Sequence, residues 1–248
     1  MVGRAAALLG LVAALAAYDV LHARLWNAGS DWWDVAFIAV VLIPAAFALV
    51  WLLLPVRHAR GLLSVALALG VLTYAFHVAG WNTPENLAKL FAVTLVGFWF
   101  LEYFETASWV VLVAMIVPWV DAYSVWKGPT KVIVTKHEHV FTTLSYAFPV
   151  PGENQAANLG LPDLLFFALF LAAAVRFVLR PGWTWLALTS SFGVTIALTV
   201  ALDLRGLPAL PLLSLGFLAP NADLLWDRIS RERRSAESEK RSSGRNAS

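Results

Sequence analysis

The sequence contains no cysteine, only two methionines and five histidines, and its charged residues make up just 14% of the chain. Without cysteine there are no disulfides, no thiol catalysis and no iron–sulfur or cysteine-ligated zinc site. A soluble domain carries about 25% charged residues, so a soluble globular fold, a disordered chain and a coiled coil are all excluded. Five scattered histidines assemble no zinc-type ligand set, and no metal or cofactor is expected. A net charge of +2 gives no reason to expect nucleic-acid binding. What is present is apolar: 60% hydrophobic residues over 248 positions, twelve tryptophans, fifteen phenylalanines and a mean hydropathy of +0.71. The composition predicts an all-α polytopic membrane protein.

A hydrocarbon core about 30 Å thick needs about 20 apolar residues per helix. Stretches of that kind run over 5–22, 34–54, 61–80, 87–104, 107–126, 162–180, 183–202 and 207–226, giving about eight transmembrane helices. The fourth and fifth almost fuse at Glu105–Thr106. The first resembles a signal peptide in its Arg4 and alanine run, but its length and Tyr18-Asp19 end favour a retained helix. Residues 1–106 therefore read as N-terminal membrane helices, 107–227 as a membrane core with one long loop at 127–160, and 228–248 as a polar disordered tail. Within the loop, the alternating Val132-Ile133-Val134 stretch reads as a short strand or partial helix, and Pro149, Pro151 and Gly152 read as irregular loop. Arg4, Arg57, Arg60, Arg180 and the near-tail arginines share one face, so cytoplasmic termini in a prokaryotic cell membrane are expected. Trp26, Trp32, Trp33, Trp81, Trp126 and Trp226 fall near span ends, as an interfacial aromatic belt would.

An ionisable side chain inside hydrocarbon costs about 2.5–3.5 kcal/mol, which makes each one a candidate for function. Asp121 lies well inside the 107–126 stretch, and Asp163 opens the 162–180 stretch after Gly160-Leu161-Pro162. A first-turn acid is also an ordinary helix-start device, so Asp163 has a structural reading as well. Chain parity puts Asp121, Asp163 and the Pro208-Ala209-Leu210-Pro211 run in the same half of the membrane. Two carboxyl groups held close in a low dielectric share a proton, so one serves as base while the other serves as acid. That is sufficient equipment to add water to an amide without a covalent intermediate.

Three elements together resemble the Gly-x-Gly-Asp intramembrane aspartyl proteases, the presenilin and signal peptide peptidase superfamily, and are closest to its prokaryotic presenilin-like members. Val120-Asp121-Ala122-Tyr123 looks like the family's Tyr-Asp helix, and Lys127-Gly128-Pro129 is similar to the Lys-Gly-Pro that succeeds that helix in presenilins. Leu159-Gly160-Leu161-Pro162-Asp163 looks like Leu-Gly-Leu-Gly-Asp, with Pro162 standing where the family has its second glycine. Leu207-Pro208-Ala209-Leu210 resembles the Pro-Ala-Leu motif, in the same order along the chain. The resemblance implies a presenilin-like bundle with Asp121 and Asp163 as the catalytic pair. It implies that Pro208, Ala209 and Leu210 receive substrate, beside Gly160, Leu161 and Pro162. Its substrates are transmembrane helices of other proteins, which must unwind before they are cut. Val132 and Val134, in the strand-like stretch, are expected to pair with the extended substrate.

The same acids and proline-broken helix also fit a proton- or cation-coupled transporter, or a non-catalytic membrane scaffold. Among the other polar residues, Asp19 and His22 read as interfacial, and His77 as a polar contact between helices. Glu102 and Glu105 share a helix face without a third ligand. Arg176 and Arg180 are placed to snorkel, and Asp203 to pair with Arg205.

Overall fold

The computed structural model describes residues 2–27, 29–126, 143–204 and 207–246. The chain is mostly helical. Helix α1 covers Val2–Leu21, α2 covers Asp31–Phe37 and α3 covers Ile43–Leu53. A wide turn, Ile38–Leu42, joins α2 to α3 without a break, and a 3₁₀ turn carries the run on to His58. Helix α4 covers Leu62–Ala79, α5 covers Asn82–Phe100 and α6 covers Ala107–Trp126. Two short strands come next, β1 at Ser145–Pro149 and β2 at Ala156–Gly160. Then come α7 at Leu161–Arg176, α8 at Pro181–Ala201, α9 at Leu210–Leu218 and α10 at Ala222–Asn246.

Among the described residues, five helical segments are long and apolar enough to cross a membrane: Val2–Arg24, Asp31–His58, Leu62–Ala79, Ala107–Val125 and Pro181–Ala201. The sequence predicts about eight, and the difference has local causes. Helix α5 carries Glu85 and Lys89 in its first half, and both are buried. Helix α7 has 16 residues, about 24 Å at 1.5 Å per residue, which is shorter than the hydrocarbon core. The last stretch is split by the Ala219–Asn221 turn, leaving only nine residues in α9.

Helix α7 is short because protein, rather than lipid, surrounds it. Every residue from Phe167 to Ala174 is fully buried. Helices α5, α8 and α9 pack against it, and α6 touches it more sparingly. Aromatic stacking fixes its register: Phe167 lies 3.9 Å from Phe47 of α3, and Phe170 lies 4.8 Å from Phe217 of α9, between ring centroids. The outer helices present their apolar side chains outward instead, as with Val71, Tyr74 and Val78 on α4 and Ile116 and Trp119 on α6.

The helical architecture is compatible with the expected all-α membrane class, with one small sheet added to it. Two finer expectations need correction. Residues 145–160 are not irregular loop: β1 and β2 form an antiparallel hairpin with Ser145 opposite Gly160 and Pro149 opposite Ala156. The polar tail is helical, since α10 runs on to Asn246. Its Arg, Glu and Lys content is compatible with a helix as well as with disorder, and composition alone does not separate the two. The 131–135 stretch, with Val132 and Val134, lies outside the described residues, as does Arg205.

Candidate functional site

Asp163 stands at the third position of α7, with Gly160 as the residue before the helix. The Gly160 backbone N–H donates to its carboxyl, the arrangement in which a first-turn acid reaches back to close a helix start. A Cβ on Gly160 would sit 3.1 Å from Asp163 Oδ2, so a larger residue there would have to shift that carboxyl by a few tenths of an ångström. Pro162 occupies the first turn, where a missing N–H leaves no intrahelical bond unmade. A proline at this position is thus compatible with the helix start. The hairpin runs into this start without a linker. Strand β2 ends at Gly160, α7 begins at Leu161, and Leu161 N–H donates to Leu144 O at 3.1 Å.

The hairpin is itself tied down by side chains from the N-terminal helices. Asn86 of α5 behaves like a strand residue toward Ala147: its amide donates to Ala147 O at 2.7 Å, and its carbonyl accepts from Ala147 N–H at 2.9 Å. The Tyr18 hydroxyl donates to Pro149 O at 2.6 Å. At the tip, Gly152 N–H donates to His22 O at 2.7 Å and Asn27 donates to Glu153 at 2.7 Å. Asp19, expected at an interface, accepts from the Thr83 hydroxyl. Residues 1–106 therefore hold β1 and the tip of the hairpin whose second strand leads into Asp163.

Asp121 approaches from α6. Its Oδ2 accepts the Leu210 N–H at 3.1 Å. Leu210 is the first residue of α9, and Pro208 and Pro211 on either side have no N–H of their own. Ala209 and Leu210 are therefore the N–H donors within that run, and Leu210 points at the acid. Pro208, Ala209 and Leu210 are all buried. Each acid thus sits on a backbone N–H at the start of a different helix, α7 or α9. Asp121 is the charged group that bears electrostatically on Asp163. Asp121 and Asp163 are both half-buried residues.

Asp121, Asp163, Gly160, Leu161 and the Pro208–Leu210 run are brought to one end of the bundle, and Pro162 is exposed beside them. Val132 and Val134 belong to the stretch outside the described residues. Sequence reading missed that Leu210 contributes a backbone donor to Asp121. Its signal was the spacing of the two prolines, which strip the donors from either side. Among the described residues no group of three or more acids and histidines is placed to hold a metal ion. Outside the site, His77 does make the expected contact between helices, with its Nδ1 3.3 Å from Glu85. Arg176 does not simply snorkel: it donates to Leu101 O at 2.6 Å, satisfying the end of α5. No protein-family model matches the chain, and no curated protein matches it.

Proposed function

We propose that the chain is an intramembrane aspartyl protease, an endopeptidase that hydrolyses peptide bonds within transmembrane segments of other proteins. The observation that supports this reading is the convergence of Asp121 and Asp163 at one end of the bundle. Each carboxyl rests on a backbone N–H, and the two are within electrostatic reach of one another. Five long apolar helices support residence in a membrane. In this reading α5, α7 and the α9–α10 segment complete the eight crossings within the shelter of the other helices, and the termini face the cytoplasm.

The chemistry comes from a shared proton. The ionised member of the pair takes a proton from water as the oxygen attacks the scissile carbonyl carbon. The protonated member donates a hydrogen bond to the carbonyl oxygen as the tetrahedral intermediate forms. That intermediate collapses when a proton passes to the amide nitrogen and the C–N bond breaks. One fragment leaves with a new carboxyl group, the other with a new amine, and the pair again holds one proton. The scissile segment enters unwound, beside Gly160-Leu161-Pro162 and the buried Pro208-Ala209-Leu210 run. Strand pairing by Val132 and Val134 is the expected source of that unwinding.

The test is incubation of purified protein in bilayer vesicles with a panel of transmembrane peptides, read by mass spectrometry. Wild type is expected to give defined fragment pairs, and Asp121→Ala and Asp163→Ala none. Proton flux through the vesicle wall, without fragments from the wild type, would replace hydrolysis by transport.

A further inference from the structure

Helix α6 packs chiefly against α9, and few of its side chains are buried. Of its side chains only Ala107, Val110 and Ala114 are buried, all in its N-terminal half. Beyond them Ile116, Trp119, Val120 and Tyr123 face outward, and Pro118 interrupts the backbone ladder one turn before Asp121. The end that bears Asp121 is fastened by the Leu210 N–H. The other end is fastened from much further along the chain. Glu232 of α10 accepts from Ala107 N–H at 3.0 Å, from the Ser108 hydroxyl at 2.5 Å and from Ser108 N–H at 3.4 Å.

The first turn of α6 contains no acid of its own, so Glu232 supplies the anion that its exposed N–H groups favour. Leu210 and Glu232 belong to one continuous stretch, α9 and α10, joined by the short Ala219–Asn221 turn. A single segment therefore grips both ends of α6. We infer that Glu232 is a positioning residue: by capping α6 at Ala107 and Ser108, it fixes the axial position of the helix and so the reach of Asp121 toward Asp163. The inference about catalysis rests on the protease reading, whereas the restraint on α6 does not. Composition marks residues 228–248 as a polar disordered tail, and this contact gives the first turns of α10 a specific task.

The experiment uses the full chain in bilayer vesicles. Because the protein has no cysteine, spin labels go only where cysteines are placed. Tyr123→Cys on α6 and Trp183→Cys on α8 are both exposed and lie on different helices. Their distance distribution is measured by pulsed electron resonance in wild type, Glu232→Ala, Glu232→Gln and Ser108→Ala backgrounds. Cleavage is measured alongside, with kcat and KM separated.

A side-chain cap shifts a helix-end equilibrium about fivefold. Glu232→Ala is therefore expected to broaden the distribution and lower kcat about fivefold, with KM unchanged. Glu232→Gln, which keeps one acceptor oxygen, is expected to fall between, and Ser108→Ala to reproduce part of the effect from the other side of the contact. A distribution in Glu232→Ala that superimposes on wild type overturns the inference. So does a broadened distribution with kcat untouched. Broadening in a protein whose wild type cleaves nothing upholds the restraint on α6 and refutes the protease reading instead.

Discussion

At Gly97, α5 comes close to the helix bearing Asp163. A Cβ at Gly97 would lie 2.8 Å from Leu165 O, 3.0 Å from Ala168 Cβ and 3.3 Å from Leu169 N, all on α7. The first of these falls about 0.6 Å inside ordinary contact, and it is a backbone atom that moves only if the helix moves. Overpacking of this kind costs about 1–3 kcal/mol. Against that, alanine favours a helix over glycine by about 1 kcal/mol. Gly97→Ala is thus expected to lose up to about 2 kcal/mol net, or several degrees in Tm at about 2–4 °C per kcal/mol for a chain of this size. Gly70 of α4 provides the internal control, because nothing lies within 4 Å of a Cβ there. Gly70→Ala should keep only the helix-propensity gain and be neutral or stabilising. Thermal unfolding in one detergent, tracked by circular dichroism, compares the two. Equal shifts of the same sign in both variants would refute the close approach of α5 and α7.

The same geometry makes four further outcomes testable. Lys89→Met removes the 2.7 Å partner of buried Glu85 and leaves it only the 3.3 Å contact with His77, so it should cost up to about 3–5 kcal/mol in detergent unfolding, whereas the double replacement Glu85→Leu/Lys89→Met should recover most of that loss. Val178 ends α7 at φ 52°, a conformation that a β-branched residue adopts only with strain, while Leu179 N–H bonds to Ala174 O; Val178→Gly should raise Tm. Leu210→Pro deletes the N–H on Asp121 and should suppress cleavage while membrane insertion, read by protease protection, persists. Asn86→Leu loses both bonds to Ala147 and should increase amide exchange across β1 and β2, measured by mass spectrometry.

Five of the expected apolar spans were legible in the sequence, because bilayer thickness imposes a length and a composition together. Asp121 was exposed as well, since an acid deep in an apolar stretch has no ordinary excuse. Asp163 was ambiguous for a good physical reason: it does both things, closing the start of α7 through Gly160 and lying in the field of Asp121. The hairpin escaped because its prolines and Gly152 read as irregular loop, although Tyr146 and Phe148 alternate with smaller residues across a Pro-Gly turn. Its fastenings, Asn86 and Tyr18, lie more than sixty residues away in sequence, and no local pattern reports such contacts. Helix α5 was placed, but its start was set too late, at 87 instead of Asn82, because the polar Asn82–Asn86 turn falls outside an apolar stretch. Glu85 and Lys89 are four residues apart and neutralise each other inside the protein. The order of the tail was hidden for a similar reason, because the group that Glu232 caps begins more than a hundred residues earlier.

The most direct test of a carboxyl pair that adds water to an amide is cleavage of a transmembrane peptide in water enriched in oxygen-18. The predicted result is a single heavy oxygen in the newly formed carboxyl group of the N-terminal fragment, with no fragment formed by Asp121→Asn or Asp163→Asn. Fragments of undiminished yield from either asparagine variant, or an intact peptide in the presence of the wild type, would contradict it.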